Sequence, residues 1–415
     1  MNTAEFKDSP LGPIPQDWEV KRLGDVWARF STGPFGSALH ASDYVEDGTP
    51  VVNPMHILDG KIVPSKDMRI NDETLNRLSS YRLRKNDIIL GRRGEMGRAA
   101  LVTAKEDGWL CGTGSFSITL DSSVSPDYIA LYIRTPNCIT AMENGAIGTT
   151  IPNLNQVIVS NIPIALPPLP EQQRIAEALG EVDKLIESLD EQIEKKRLIA
   201  KGVAHDLLSA KKRLPGFKGA WEMLKLGDMG IWLKGQALSK SDVTSTGTYE
   251  CIHYGELFTK YGPVIQTVVS RTGKEPTTSS VSGDILFPSS DVTPEGLGRC
   301  SAIMADGVVL GGDMIILRLG VTCSPQLVSH VINQNRRMII AKVTGITVRH
   351  ITSKALSNIE IPLPPTFAEQ QAIADLLSEQ DAAIAALEEK REKYVRIKDG
   401  MMRDLLTGKV RMKGE

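Results

Sequence analysis

The sequence lacks any pair of cysteines at CxxC spacing. Its five cysteines, Cys111, Cys138, Cys251, Cys300 and Cys323, are odd in number and scattered. That pattern argues against a zinc knuckle, a disulfide framework or a metal site, and suits a reducing cytoplasm. No apolar run approaches the roughly 18 residues of a membrane helix. The opening stretch MNTAEFKDSPLGPIPQDW has no apolar core of the signal-peptide kind. The expectation is a cytoplasmic chain with no membrane partner. Charge of one sign is also lacking: 48 Lys and Arg stand against 50 Asp and Glu, for a net charge of −2. Any nucleic-acid binding therefore comes from local clustering of charge. Apolar residues are 41% and charged residues 24%, which excludes wholesale disorder. At about 100–200 residues per domain, the 415 residues allow two to four domains.

What the sequence does have is a repeat. LPPLPEQQRIAEAL (Leu166–Leu179) returns as LPPTFAEQQAIADLL (Leu363–Leu377), with Glu171 matching Glu369 at an offset of 198. The same offset carries Asp183 to Asp381, Gly202 to Gly400, and HDLLSAKKR (His205–Arg213) to RDLLTGKVR (Arg403–Arg411). Upstream, WEVKRLGDV (Trp18–Val26) resembles WEMLKLGDM (Trp221–Met229), and NDIIL (Asn86–Leu90) resembles GDILF (Gly283–Phe287). MGRAAL (Met96–Leu101) resembles LGRCSAI (Leu297–Ile303), and these offsets drift between 197 and 203. The period is far too long for a solenoid. Such drift is what loop insertions on a shared core produce, and the constant order of the blocks argues against chance.

The chain thus reads as four segments: a globular domain over 1–164, a long helix over 165–213, a second globular domain over 214–361 and a second long helix over 362–415. Within the globular parts, the blocks Gly12–Ile164 and Gly216–Ile361 carry short β-type runs such as DIILG, SFSITL, DILF and MIILRL, punctuated by turn residues. This is an α/β (mixed α+β) pattern. The helical blocks open with prolines and then Glu-Gln-Gln, which suits a first helical turn. Apolar residues then recur in steps of three and four: Ile175, Leu179, Val182, Ile186, Leu189 and Ile193, mirrored by Ile373, Leu377, Ile384 and Leu387. That is a heptad seam. Polar entries at Lys196, Gln380, Arg391 and Lys398 weaken the seam and suggest a role in register. Heptad helices most often simply pack a bundle. Each of these spans roughly 55–60 Å at about 1.5 Å per residue, longer than a small domain is wide, so they read as a spacer.

This arrangement resembles the DNA-sequence-specificity subunit of type I restriction-modification systems. The resemblance rests on LPPLPEQQRIAEAL and its second copy, the two LGD strings after tryptophan, and GTTIPNLNQ (Gly148–Gln156), and it covers nearly the whole chain. It implies two similar target-recognition domains joined by two long antiparallel coiled-coil helices in a pseudo-twofold internal repeat. It also implies a non-catalytic subunit that binds double-stranded DNA at a split target, one half per domain. The implied partners are two methyltransferase subunits, which hold S-adenosylmethionine, and restriction subunits. No cofactor is expected on this chain. TFAEQQ in place of LPEQQ departs from the pattern at one local turn.

The residues fit DNA binding independently. Between Arg77 and Arg98 there are seven basic residues against two acidic ones, Asp87 and Glu95. GRRGEMGR reads as a loop after the strand DIIL, in which Lys85, Arg92, Arg93 and Arg98 are candidates to hold phosphate or grip guanine. A solvated surface loop is the plain alternative. At the equivalent place the second domain has PSSDVTPEGLGR, with Ser289, Ser290 and Arg299. Loops after the first strand, STGPFGSALH with Ser37 and LKGQALSKSD with Lys234, carry the small and hydroxyl residues that position phosphates, or are ordinary turns. Asn53, His56, His253 and Tyr254 fall at strand ends, where they could reach bases, although a lone histidine is more often simply packed or exposed.

Other readings fare worse. NPMH (Asn53–His56) resembles only distantly the Asn-Pro-Pro-aromatic motif of amino methyltransferases, and CGTGSF (Cys111–Phe116) a cofactor loop. Met55 and His56 remove the second proline and the stacking ring that a flipped base needs. No carboxylate-carboxylate-lysine string of the nuclease kind stands out. GxxGxxG (Gly91, Gly94, Gly97) is not followed by Gly-Lys-Ser/Thr, so it is no phosphate loop. A purely structural coiled coil explains the helices but not two differing α/β domains. The helix faces IESLDEQIEKKR and IAALEEKREKYV are the expected docking surface for partner subunits, with a merely soluble helix face as the plain alternative. Nine acidic and nine basic residues balance over Glu171–Arg213, which is not a phosphate-binding stripe.

Overall fold

Strings that occur twice in the sequence build the same joint twice. The computed structural model describes residues 5–148 and 152–414. The chain divides into one unit of residues 1–190 with 389–415 and another of residues 191–388. Each unit contains one α/β domain and half of each long helix.

In the first unit an antiparallel sheet runs in the order Ala99–Leu101, Ile88–Gly91, Ser115–Leu120, Trp27–Thr32. Ile88–Gly91 lies inside this sheet with all four residues buried, which is why the run is continuously apolar rather than alternating. A second sheet orders Leu110–Cys111, Thr49–Val52, Arg69–Ile70 and Tyr44–Val45, its first pair parallel. Asp87, fully buried before its strand, accepts from Ser117 Oγ at 3.0 Å, Thr119 Oγ1 at 2.6 Å and the Arg84 amide at 3.0 Å, with Arg29 at 3.4 Å. A buried carboxylate needs such partners. The LGD string places Leu23 in the core and sets Gly24 against Ser160, where a Cβ would come within 3.0 Å of the carbonyl oxygen.

The second unit repeats this plan. Its first sheet runs Gly230–Lys234, Met314–Leu319, Ile285–Pro288, Ser301–Ile303, with Val264–Ile265 added as a fifth strand. The second sheet runs Val243–Thr244, Ser270–Thr272, Tyr249–His253, Val309–Gly311, again with one parallel pair. Asp284 takes the place of Asp87 and is held by Arg318 through Nε at 3.0 Å and Nη2 at 2.8 Å. Gly227 faces Ser357 as Gly24 faces Ser160.

The long helices are Leu169–Leu208 and Phe367–Leu405. In the first unit Asp183 pairs with Lys398 and Asp190 with Arg391, both at 2.5 Å. Rising numbers on one helix meet falling numbers on the other, so the segments are antiparallel. The polar seam entries Arg391 and Lys398 are therefore cross-helix ion pairs, which fix one register among several that an apolar seam alone would allow. Ile175 and Leu179 share a core with Leu405, Leu406 and the fully buried Trp18, Phe116 and Tyr128. Ile186 and Leu189 are buried and Val182 half-buried. In the second unit Ile373 and Leu377 pack with Leu207, Leu208 and Phe287, while Ile384 and Leu387 are half-buried.

The Glu-Gln-Gln strings close each unit. Glu171, 2% exposed, accepts from Arg411 Nε at 2.8 Å, Arg411 Nη2 at 2.7 Å and the Met412 amide at 3.0 Å. Arg411 also reaches Asp17 and lies 5.7 Å from the Trp18 ring centroid. In the second unit Glu369, 1% exposed, is gripped by Arg213 through Nε and Nη2, both at 2.6 Å. The next residue latches the helix to its domain. Gln172 accepts from the Ser125 amide at 2.9 Å and donates to the Pro167 carbonyl at 2.9 Å. Gln370 accepts from Ser324 at 3.0 Å and donates to Pro364 at 2.8 Å.

Buried ionisable groups make the stability of both units depend on pH. Burial pushes the Glu171 carboxyl up, but hydrogen bonds from Arg411 and the Met412 amide, with the guanidinium charge, outweigh it and hold the group below its ordinary value. Its contribution is present at neutral pH and is lost as pH falls through the carboxylate range. Arg411→Ala should cost about 3 kcal/mol in urea unfolding at neutral pH, because a buried carboxylate loses its partner. That difference from the parent should shrink below about pH 4; a pH-independent difference would show that charge pairing is not its source. His330, in the helix Pro325–Gln334, is 9% exposed, and its Nε2 has no partner among the described residues. Burial pushes its pKa down to about 4 from 6.5. Between those values the unfolded chain binds a proton that the folded chain refuses, so stability falls as pH drops, by up to about 3 kcal/mol. His330→Leu should remove that slope between pH 6.5 and 4; an unchanged slope in paired unfolding curves would assign it to other groups.

Candidate nucleic-acid interface

Loops scattered through the first domain's sequence meet at one end of its sheets. Strands Trp27–Thr32, Thr49–Val52 and Ile88–Gly91 finish there, and Ser115–Leu120 begins there. Backbone bonds tie the loops together: Gly33 N–H to the Ser115 carbonyl at 3.0 Å, Gly112 to Val52 at 2.9 Å, and Arg92 to Gly114 at 2.9 Å. Gly33 is obligatory, because a Cβ on it would overlap the Gly112 carbonyl. An antiparallel bridge between Ile147 and Asn153 joins them, with the Leu154 amide donating to the Arg92 carbonyl at 2.8 Å. Within the run Gly148–Gln156, Thr149, Thr150 and Ile151 lie outside the described residues.

The candidate residues sort clearly by what holds them. Arg92 is half-buried, with Nε donating to Asn153 Oδ1 at 3.2 Å and its guanidinium 5.5 Å from the Phe116 ring centroid. Burial, and then the neighbouring Arg93 charge, lower its pKa. Arg93 is exposed and has no ion pair among the described residues. Arg98 is spent internally, on Glu95 at 2.7 Å and the Pro54 carbonyl at 3.2 Å. Asn53 is half-buried against Gly112. His56 is 3% exposed, and its Nδ1 accepts from the Asn53 amide at 3.1 Å, which leaves the proton on a buried Nε2. Burial holds its pKa down. Ser37 is exposed in the loop that starts at Gly33. Lys85 is exposed but precedes strand Ile88–Gly91, at the opposite end from Arg92.

The second domain brings the equivalent loops together. Gly235 donates to the Met314 carbonyl at 3.0 Å, Gly312 to Gln236 at 2.9 Å, Ser289 to Asp313 at 2.8 Å and Ile351 to Ser289 at 3.0 Å. Its hairpin is closed by Thr344 and His350, with Ile346 between them 89% exposed. Lys234 is exposed at its strand's end. Ser289 is half-buried, and Ser290 is buried and donates to Asp313 Oδ2 at 2.7 Å. The His253 ring lies 4.5 Å from that of Tyr254, tilted by 45°, and burial, partly offset by Glu256, keeps its pKa low. Arg299 donates to the Leu257 and Phe258 carbonyls at 3.1 and 3.2 Å, away from solvent-facing work.

The structure thus groups Ser37, Asn53, Arg92 and Arg93 in one tip, and Lys234, His253, Tyr254, Ser289 and Ser290 in the other. The individual roles of Asn153, exposed Met55 and the hairpin 344–350 were not read from sequence. Aligning GITVRHIT (345–352) on GTTIPNLN (148–155) at an offset of 197 is the signal that finds the hairpin.

Two copies of the family model described as the type I restriction modification DNA specificity domain match residues 15–196 and 218–396. The chain therefore belongs to that family, and each copy takes in one domain with its tip. The type I restriction enzyme MjaVIII specificity subunit of Methanocaldococcus jannaschii is 25% identical over 427 residues, covering 98% of this chain and 96% of that one. MjaX of the same organism is 26% identical over 430 residues, with coverages of 98% and 97%. Among solved structures, the S subunit of a type I restriction-modification system from M. genitalium has the same fold, with a TM-score of 0.63 at 17% identity over 98% of this chain and 97% of that one.

Paired substitutions test the tip's construction. Gly33→Ala should cost about 1–3 kcal/mol by overpacking. Gly36→Ala, where a Cβ meets nothing within 4 Å, should be close to neutral. Equal melting temperatures for both variants would mean that the loops do not meet as described.

Proposed function

We propose that this chain is the sequence-reading subunit of a type I restriction-modification assembly, that it binds a split double-stranded DNA target with one half per domain, and that it performs no chemistry itself. The observation that carries the reading is the same loop platform built twice with different chemistry at its tip. One tip presents Arg93 beside a half-buried Arg92 braced by Asn153; the other presents Lys234, Ser289, Asp291 and a hairpin bearing Arg349. A shared platform with unlike tips is what reading two unlike half-sites demands, because base edges are read by side chains and phosphate contacts only position them. Arg93 is suited to a bidentate grip on guanine, and Lys234 to phosphate.

Absence of catalysis is supported by the state of the NPMH segment. His56 is turned into the fold, where it braces a single helical turn, and half-buried Asn53 leans on Met68, so the segment offers no stacking ring to a flipped base. Methyl transfer then belongs to two methyltransferase partners carrying S-adenosylmethionine, and cleavage to restriction subunits, with the complex in the cytoplasm. No helix among the described residues is long and apolar enough to cross a membrane.

The test is methylation mapping after co-expression with the methyltransferase partner. Replacing Gly12–Ile164 with the matching block of another family member should change one half of the methylated sequence and leave the other. Arg93→Ala should weaken binding to the parent target by about 1–3 kcal/mol with no change in melting temperature, and Lys234→Ala should lower the salt slope by about one unit. A change in both halves on block exchange would refute one-domain-per-half reading.

A further inference from the structure

The first unit has a groove of about 690 Å³ away from the recognition tip. One wall is the start of the helix Pro136–Gly145, and the other is the last third of the second long helix. Arg134, Arg396, Arg403 and Lys409 line it against a single acid, Asp399. Arg403 and Lys409 are exposed and have no ion pair among the described residues. Among the described residues Arg396 has one ion pair, with exposed Glu392 at 3.6 Å. Arg134 lies folded over Gly60, and burial lowers its pKa, which Asp183 and Asp59 partly restore. The helix start adds positive charge. Thr135 spends its hydroxyl on the Tyr132 carbonyl at 2.7 Å, so the first-turn amides lack a side-chain cap. Half-buried Met402 and exposed Pro136 add apolar surface to the lining.

The repeat equivalent in the second unit is different. The offset of 198 carries Arg403 to His205 and Lys409 to Lys211. There His205 bonds Gln334 at 3.0 Å and Lys211 at 3.1 Å, so a chain of hydrogen bonds bridges the place. Asp399 maps to Lys201 and Met402 to Ala204, which reverses one charge and shortens the apolar side chain.

We propose that the groove in the first unit docks an acidic segment of a partner protein that carries apolar side chains between its carboxylates. Charge complementarity sets the sign of the occupant: unpaired cations and uncapped amides call for carboxylates. The apolar part of the lining sets its class. A DNA duplex is a convex cylinder whose backbone presents no apolar side chain to fill it, whereas alternate residues of an acidic peptide do. The helix Pro136–Gly145 separates the groove from Ile147 at the tip by ten residues, or about 15 Å. The contact is therefore independent of the DNA-reading proposal above, and only one such groove is expected per chain.

Fluorescence anisotropy on the full chain tests this with a short labelled peptide of alternating glutamate and leucine, and with its lysine-leucine counterpart. The acidic peptide should bind saturably at one site per chain. Arg403→Glu with Lys409→Glu, both exposed, should lower that affinity by roughly tenfold or more and favour the lysine peptide. Target DNA binding by the double variant should be unchanged, which separates failure here from failure of the DNA-reading proposal. No binding of the acidic peptide, equal binding by the double variant, or displacement of the peptide by non-target duplex would each overturn the proposal. The last outcome would reassign the groove to nucleic acid.

Discussion

A glutamate taken out of water at the start of a long helix must find a cation, and here the cation comes from the tail that follows the other helix. Glu171 meets Arg411, and Glu369 meets Arg213. The rest of the arrangement depends on this crosswise clasp. It holds two helices antiparallel, closes the base of each domain's core, and brings the Asp17–Trp18 segment under the same guanidinium in the first unit. Burying a carboxylate is costly enough that an alternative pairing of helices, leaving either glutamate without its arginine, is strongly disfavoured.

The recurring strings of the sequence coincide with joints. Leu-Gly-Asp seats a strand against a short helix, Asp-Ile-Ile/Asp-Ile-Leu buries an aspartate between strands, and Glu-Gln-Gln carries the clasp and the latch on Ser125 or Ser324. Between the joints the two halves are free to differ. Arg29 reaches Asp87 from the first strand of one sheet, whereas Arg318 reaches Asp284 from a different strand of the other. The charge requirement is kept while its supplier moves. The tips diverge most, because no joint constrains them beyond the glycines that let the loops touch.

Much of the fold was legible because it rests on period and repetition. The seam Ile175–Leu179–Ile186–Leu189 has helical spacing that nothing else explains, and Arg391 and Lys398 stood out as polar faults in it. The clasp was not legible. Glu171 and Arg411 are 240 residues apart, and the repeat alone pairs Glu171 with Arg213 equally well. At the tip, GRRGEMGR announced a basic loop, but not which arginine stays free. That depended on Glu95 and the Pro54 carbonyl capturing Arg98, and on Asn153 bonding Arg92. His56 looked like a reaching side chain because sequence shows the strand end and not the helical turn that folds it inward.

The clasp also imposes an order on manufacture. The second unit is one continuous stretch, 191–388, and has all its parts as soon as that stretch leaves the ribosome. The first unit does not, because it borrows 389–415. Glu171 waits for Arg411 across 240 residues of synthesis, roughly 10–50 s at the usual rates of translation. Through that interval Ile175 and Leu179 lack the cover of Leu405 and Leu406. The domain translated first is thus completed last, and its unfinished underside is the part of the nascent chain most in need of a chaperone.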